Sequence, residues 1–203
     1  IVGLGSIGGN LAKYLIKQNY KICVWDKNLK KLKKFSKKND IKINRKFSNN
    51  LIKDKILILT INAGKNVDDF FYKNINSLKR LKYLIDLGNN HPEDTLRRYN
   101  YLKKHKIKYI NPGFSGGIEG AKGRASLMLS CDRKELKHLN ILFSEFSGNK
   151  KRSLKLVGNK PHAGNFVKIV HNSIEYSILQ SLADYYLILN KFKKCSNPKI
   201  LGE

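Results

Sequence analysis

Residues 1–9, Ile-Val-Gly-Leu-Gly-Ser-Ile-Gly-Gly, limit what this chain can fold into more than any other stretch. Gly3, Gly5 and Gly8 keep the spacing GxGxxG, directly after a short apolar run and at the head of a helical pattern over Ile7–Gln18. A second apolar run, Lys21–Trp25, ends on Asp26, which lies 18 positions after Gly8 (26 − 8). A glycine triplet alone is weak. Strand, glycine turn, helix and a second strand ending in an acid are together the parts of a βαβ unit that binds a dinucleotide. Gly3 permits the tight turn, Gly5 lets the backbone approach a pyrophosphate, and Gly8 lets the helix pack on the strand. The helix N-terminus then faces the phosphate charge. Asp26 can accept a hydrogen bond from a ribose 2′-hydroxyl and would repel a 2′-phosphate, which leans to NAD. Lys27 beside it partly offsets that repulsion, so NAD and NADP both stay open.

The rest of the chain continues the alternation. Apolar runs at 55–61, 81–87, 107–112 and 126–130 are strand candidates, with helix-like segments near 66–73, 92–105 and 133–146 between them. Strands alternating with helices over short connections predict an α/β fold, a Rossmann-type doubly wound and mostly parallel sheet. A Gly-, Asn- and Pro-rich break at 157–165 precedes one long helical pattern to about Asn190. The expected organisation is a dinucleotide-binding domain over 1–160 and the first long helix of an all-helical second domain over 161–203.

Composition excludes more than it assigns. The formal charge is +26, but only seven of the 41 basic residues are arginine and the lysines run along the whole chain. No nucleic-acid motif interleaves them with stacking aromatics, so no specific nucleic-acid partner is expected, only weak salt-sensitive affinity for polyanions. No run approaches about 18 apolar residues, so no membrane span is expected. Cys23, Cys131 and Cys195 form no CxxC pair. That predicts a reduced, cytoplasmic setting and no metal site. The chain opens mid-pattern without methionine and without a signal peptide's charged flank, as if its first residues were missing.

Two further segments carry chemistry. In 111–129, Ser115, Gly116 and Gly117 fall in a loop just after a strand, where glycines expose N–H groups to an anion; a plain hairpin-like loop is the alternative. In Gly164–Tyr176, Lys168, His171, Asn172 and Glu175 recur at i, i+3, i+4 and i+7, with Phe166, Ile169, Val170 and Ile174 on the other faces. Singly these residues say little. A lysine in this chain reads as surface, a lone histidine as structural, and four polar groups as a solvated face.

Together, "DLGNNHPEDTLRR" (86–98), "SGGIEGAKGRASLM" (115–128) and "FVKIVHNSIEY" (166–176) resemble the 6-phosphogluconate dehydrogenase family, decarboxylating oxidoreductases of the pentose phosphate pathway and gluconate utilization. The similarity covers nearly the whole chain. Broader β-hydroxyacid dehydrogenases share the glycine turn, the SGG loop and the lysine, but not the HN-x-x-EY continuation. The resemblance implies that Lys168 is the general base at the C3 hydroxyl and that Glu175 protonates C1 of the enediol. It implies that Asn89, Ser115, Gly116, Gly117, His171 and Asn172 hold 6-phosphogluconate and that Tyr176 binds its phosphate. Gly3, Gly5, Ser6, Ile7, Gly8, Asp26, Lys27, Asn62, Ala63 and Asn89 would hold the cofactor. Departures concern the cofactor: Asp26-Lys27-Asn28 stands where the family has Asn-Arg-Thr, Asn62 replaces a lysine, and Ile7 replaces a methionine. The family also continues into a helical domain and completes its pocket with a partner subunit's tail. A homodimer is therefore expected of a full-length form, and dinucleotide binding with little turnover of the 203 residues alone. The alternatives are another β-hydroxyacid dehydrogenase acting on a smaller acid, and a non-catalytic dinucleotide- or polyanion-binding protein.

Overall fold

The computed structural model describes residues 1–39, 41, 46–47, 56–147 and 153–191. Cys195 and the tail after Lys191 lie outside the described residues, as does Lys55 at the head of one expected strand. Contacts divide the chain into two compact units, Ile1–Lys168 and Ile169–Glu203.

In the first unit, β1 (Ile56–Leu59), β2 (Tyr83–Asp86) and β3 (Lys108–Ile110) form a parallel ladder in that order. Val2 bridges in parallel to Leu59 on one side and to Trp25 on the other. The first two expected strands thus join the sheet through single bridges, giving the order Trp25–Val2–β1–β2–β3. The order in which successive strands are added reverses at Val2, with Trp25 on one side and β1 to β3 on the other. This is a topological switch point, the place where doubly wound sheets bind ligands.

β2 shows why the sheet is covered on both faces. Its four residues Tyr83, Leu84, Ile85 and Asp86 are all buried, which is the mark of a central parallel strand. Tyr83 and Ile85 pack with Leu11 and Leu15 of α1 (Ser6–Lys17) and with Leu139, Phe143 and Phe146 of α6 (Arg133–Phe146). Leu84 packs the opposite way, with Val67, Phe71 and Leu78 of α3 (Lys65–Leu78) and Leu102 of α4 (Pro92–Lys104). A smaller cluster seats Leu32 and Phe35 of α2 (Leu29–Asn39) on Ala12 and Val24.

A second ladder contains β4 (Gly113–Ser115), β5 (Ser126–Ser130) and β6 (Leu154–Gly158). Here the expectation of a loop after the strand at 107–112 is corrected. Ser115 ends a separate short strand that pairs antiparallel with β5, Ser115 opposite Ser126, while β6 is parallel to β5. The connection is one short turn, α5 (Gly117–Glu119), and an irregular turn over Gly120–Arg124. The long helix α7 spans Ala163–Lys191. Among the described residues no helix is long and apolar enough to cross a membrane.

Candidate active site

The glycine turn is built by close approach. Gly3 has φ +96°, in the left-handed region where glycine is favoured. A Cβ on Gly8 would lie 2.0 Å from the Gly3 carbonyl oxygen and 2.1 Å from Thr60 Oγ1. Thr60 holds the turn from the next strand, its hydroxyl donating to the Gly3 carbonyl at 2.8 Å. Gly5 behaves oppositely: nothing lies within 4 Å of where its Cβ would be. It is the N-cap of α1, with no side chain capping the helix and no acid in its first turn. An open glycine at an uncapped helix start fits a dinucleotide pyrophosphate.

Asp26 supports the same turn from the far side. Its Oδ2 accepts from the Leu4 N–H and its Oδ1 from the Asn28 N–H, each at 2.7 Å, and the residue is 9% exposed. Its carboxylate is thus fixed in place, beside an exposed Lys27. Ser6 is exposed and Ile7 partly so at the same turn; Asn62 and Ala63 after β1, and Asn89 after β2, are exposed as well. All follow the C-terminal ends of adjacent parallel strands, so they share one edge of the sheet.

Under that edge lies a buried polar cluster. Asp86 accepts from the Gly88 N–H at 2.9 Å, Tyr109 Oη at 2.8 Å and Asn90 Nδ2 at 2.9 Å. Burial pushes its carboxyl up to about 6, against those hydrogen bonds and the nearby Arg98 charge. Arg98, 1% exposed, pairs with Asp68 through Nε at 2.8 Å. Desolvation raises the Asp68 carboxyl, but hydrogen bonds and charge from Arg98 and Arg97 outweigh it and hold it down at about 2.

Lys168 is where the sequence pattern and the structure meet most tellingly. Against the surface reading that its type suggests, it is 8% exposed and is the one buried lysine among the described residues. Its Nζ donates to Ser115 Oγ at 2.9 Å. Two glycines set the depth of this seat. A Cβ on Gly164 would stand 2.3 Å from the Met128 carbonyl oxygen, and one on Gly113 would stand 2.6 Å from the Gly164 carbonyl oxygen. Gly116 and Gly117, both at positive φ, lie exposed just past Ser115.

Further along α7, in the second unit, His171 Nδ1 lies 3.6 Å from Glu175 Oε2 and 3.3 Å from Asn172 Oδ1. The side chains of His171 and Glu175 are 42% and 51% exposed, Tyr176 is 63% exposed, and Asn172 is partly buried. The structure therefore joins Lys168 to Ser115, and His171 to Asn172 and Glu175, each within its own unit. Sequence reading passed over Arg98, Asp86, Asn90, Gly113 and Gly164. The run "DTLRR" held the one available signal, an arginine pair after an acid, but its partner Asp68 lies thirty positions away.

Comparison with known proteins gives a consistent picture. A family model described as the NAD binding domain of 6-phosphogluconate dehydrogenase matches residues 1–158, and one described as the 6-phosphogluconate dehydrogenase C-terminal domain matches 164–202. The decarboxylating 6-phosphogluconate dehydrogenase of Rattus norvegicus is 31% identical, over 93% of this chain and 41% of its own length. That of Buchnera aphidicola is 28% identical, over 98% and 44%. The chain thus spans 41–44% of these curated relatives. Among solved structures, Plasmodium falciparum 6-phosphogluconate dehydrogenase superposes with a TM-score of 0.78 at 27% identity, covering 93% of this chain and 42% of that one. Mycobacterium tuberculosis 3-hydroxyisobutyrate dehydrogenase superposes at 0.82, covering 96% of this chain and 65% of that one; at 15% identity this shows the shared fold alone.

Proposed function

Since the chain belongs to the 6-phosphogluconate dehydrogenase family, we propose that it supplies the dinucleotide-binding domain and first catalytic helix for the oxidative decarboxylation of 6-phosphogluconate to ribulose 5-phosphate. The observation that carries this reading is Lys168: a buried lysine hydrogen-bonded to Ser115, in the same unit as the glycine turn.

A dinucleotide held by Gly3, Gly5, Ser6, Ile7, Gly8, Asp26, Lys27, Asn62, Ala63 and Asn89 would supply the hydride acceptor for C3. Lys168 takes the C3 hydroxyl proton as the carbonyl forms, with Ser115 orienting its amine. The resulting 3-keto acid loses its carboxyl as carbon dioxide, and Lys168, now protonated, polarises the ketone while the electron pair arrives. Glu175 returns a proton to C1 of the enediol, with His171 and Asn172 beside it. Asn89, Gly116 and Gly117 hold the sugar acid, and Tyr176 its phosphate. A full-length form acts as a homodimer. The fixed Asp26 favours NAD over NADP in this chain.

Lys168→Ala tests the assignment. Titration should show dinucleotide affinity within about twofold of wild type, because the phosphate turn is untouched, while turnover by any form that contains the whole catalytic domain falls by about 10⁴-fold, the upper range for a positioned acid–base group. An unchanged rate would remove Lys168 from the chemistry. Equal turnover of 6-phosphogluconate and an unphosphorylated 3-hydroxy acid would favour a dehydrogenase of smaller acids.

A further inference from the structure

Arg98 is buried to 1% exposure, and a charge that deep is costly unless its donors are met. They are met from two sides, by Asp68 in the first turn of α3 with Gly64 just before it, and by Asn90 after β2. Nε and Nη2 reach Asp68 at 2.8 and 3.1 Å, and Nη2 also donates to the Gly64 carbonyl at 2.9 Å. Gly64 closes the turn after β1 that carries Asn62 and Ala63. Nη1 donates to Asn90 Oδ1 at 2.7 Å. Asn90, 2% exposed, passes the connection to Asp86 Oδ2 and to Asn111 Oδ1, both at 2.9 Å. The other Asp86 oxygen accepts from the Gly88 N–H. The turn after β2 is therefore held on each side of Asn89, which stands exposed between them.

We propose that Arg98 is a positioning residue, one guanidinium that fixes the β1 and β2 turns relative to each other so that they receive the nicotinamide half of the dinucleotide. This rests on the dinucleotide reading above. Sheet order supplies the assignment: Asp26, on one side of the central turn, marks the adenosine ribose, so the other half of the cofactor lies over β1 and β2. A planar fork with donors in several directions does this where an ammonium cannot, because only the fork spans both loops with fixed angles.

The test compares NADH with ADP-ribose, which lacks nicotinamide, by fluorescence and calorimetric titration of the full chain. For Arg98→Lys, NADH affinity should fall about tenfold, the equivalent of one charge-assisted hydrogen bond, while ADP-ribose affinity stays within about twofold. If Arg98→Lys does not fold, Asn90→Ser removes the link from Arg98 to the β2 turn together with the Asn90 bonds to Asp86 and Asn111, keeps the Arg98–Asp68 pair, and should give the same selective loss. Equal weakening of both ligands would make Arg98 a plain scaffold residue, and unchanged NADH binding would remove it from positioning; either overturns the proposal. A wild-type chain that binds neither ligand refutes the dinucleotide reading itself, and the proposal with it.

Discussion

At Asp26 a single carboxylate shapes the turn, its oxygens accepting from the Leu4 and Asn28 N–H groups; in the proposed function it also faces the cofactor ribose. A 2′-phosphate would meet a charge that cannot swing aside. Asp26→Asn removes the charge but keeps one accepting oxygen. The ratio of NADP to NAD dissociation constants should drop at least about tenfold, from relief of one close like-charge contact, with some loss of affinity for both. Paired fluorescence titrations read the ratio; an unchanged value would show that the fixed acid plays no part in selection. Sequence spacing singled out this acid because it ends a strand at a fixed distance from the glycine turn, and the structure shows it bonded to that turn at Leu4. It could not locate Lys168 by type, since thirty-four lysines look alike until burial separates one of them.

Among the elements, those with a strong apolar period were legible. α1, α4 and α6 fall within a few residues of their expected bounds. α2 was missed because Leu32 and Phe35 alone are buried in LKKLKKFSKKN, and the lysines mask the period. β4 was missed because three residues are too few to show alternation, and β6 because its LKLVG is only half covered. The most consequential packing was silent too: Gly113 and Gly164 matter through one another, across 51 positions (164 − 113). Gly164→Ala would press a methyl against the Met128 carbonyl and lift the first turn of α7 off β4 and β5. The cost should be about 1–3 kcal/mol, as for other overpacked contacts. Residue-resolved amine labelling should show Lys168 reacting faster while other lysines and dinucleotide affinity hold; unchanged labelling would mean that the glycine pair does not set its depth.

For the molecule as a whole, the fold class was readable because helix and strand patterns alternate, whereas long-range polar pairing was not. That pairing has a global consequence in acid. Asp68 is 17% exposed and its carboxyl is depressed from 3.8 to about 2. A depressed carboxyl stabilises the fold above its unfolded value and loses that contribution as pH falls through the folded one. The stability gap between wild type and Asp68→Asn should therefore be constant above about pH 5 and shrink by about 2 kcal/mol by pH 2. Urea denaturation across that range reads it, and a gap independent of pH would contradict the pairing.

Val2 sits at the centre of the sheet, yet its neighbours Trp25 and Leu59 come much later in the chain. During synthesis the phosphate turn has no shape of its own: Gly3 waits for the Thr60 hydroxyl to emerge from the ribosome before its carbonyl is held. Such non-local closure slows folding. A nascent chain stalled short of Thr60 should be unable to capture nucleotide, however complete its glycine motif.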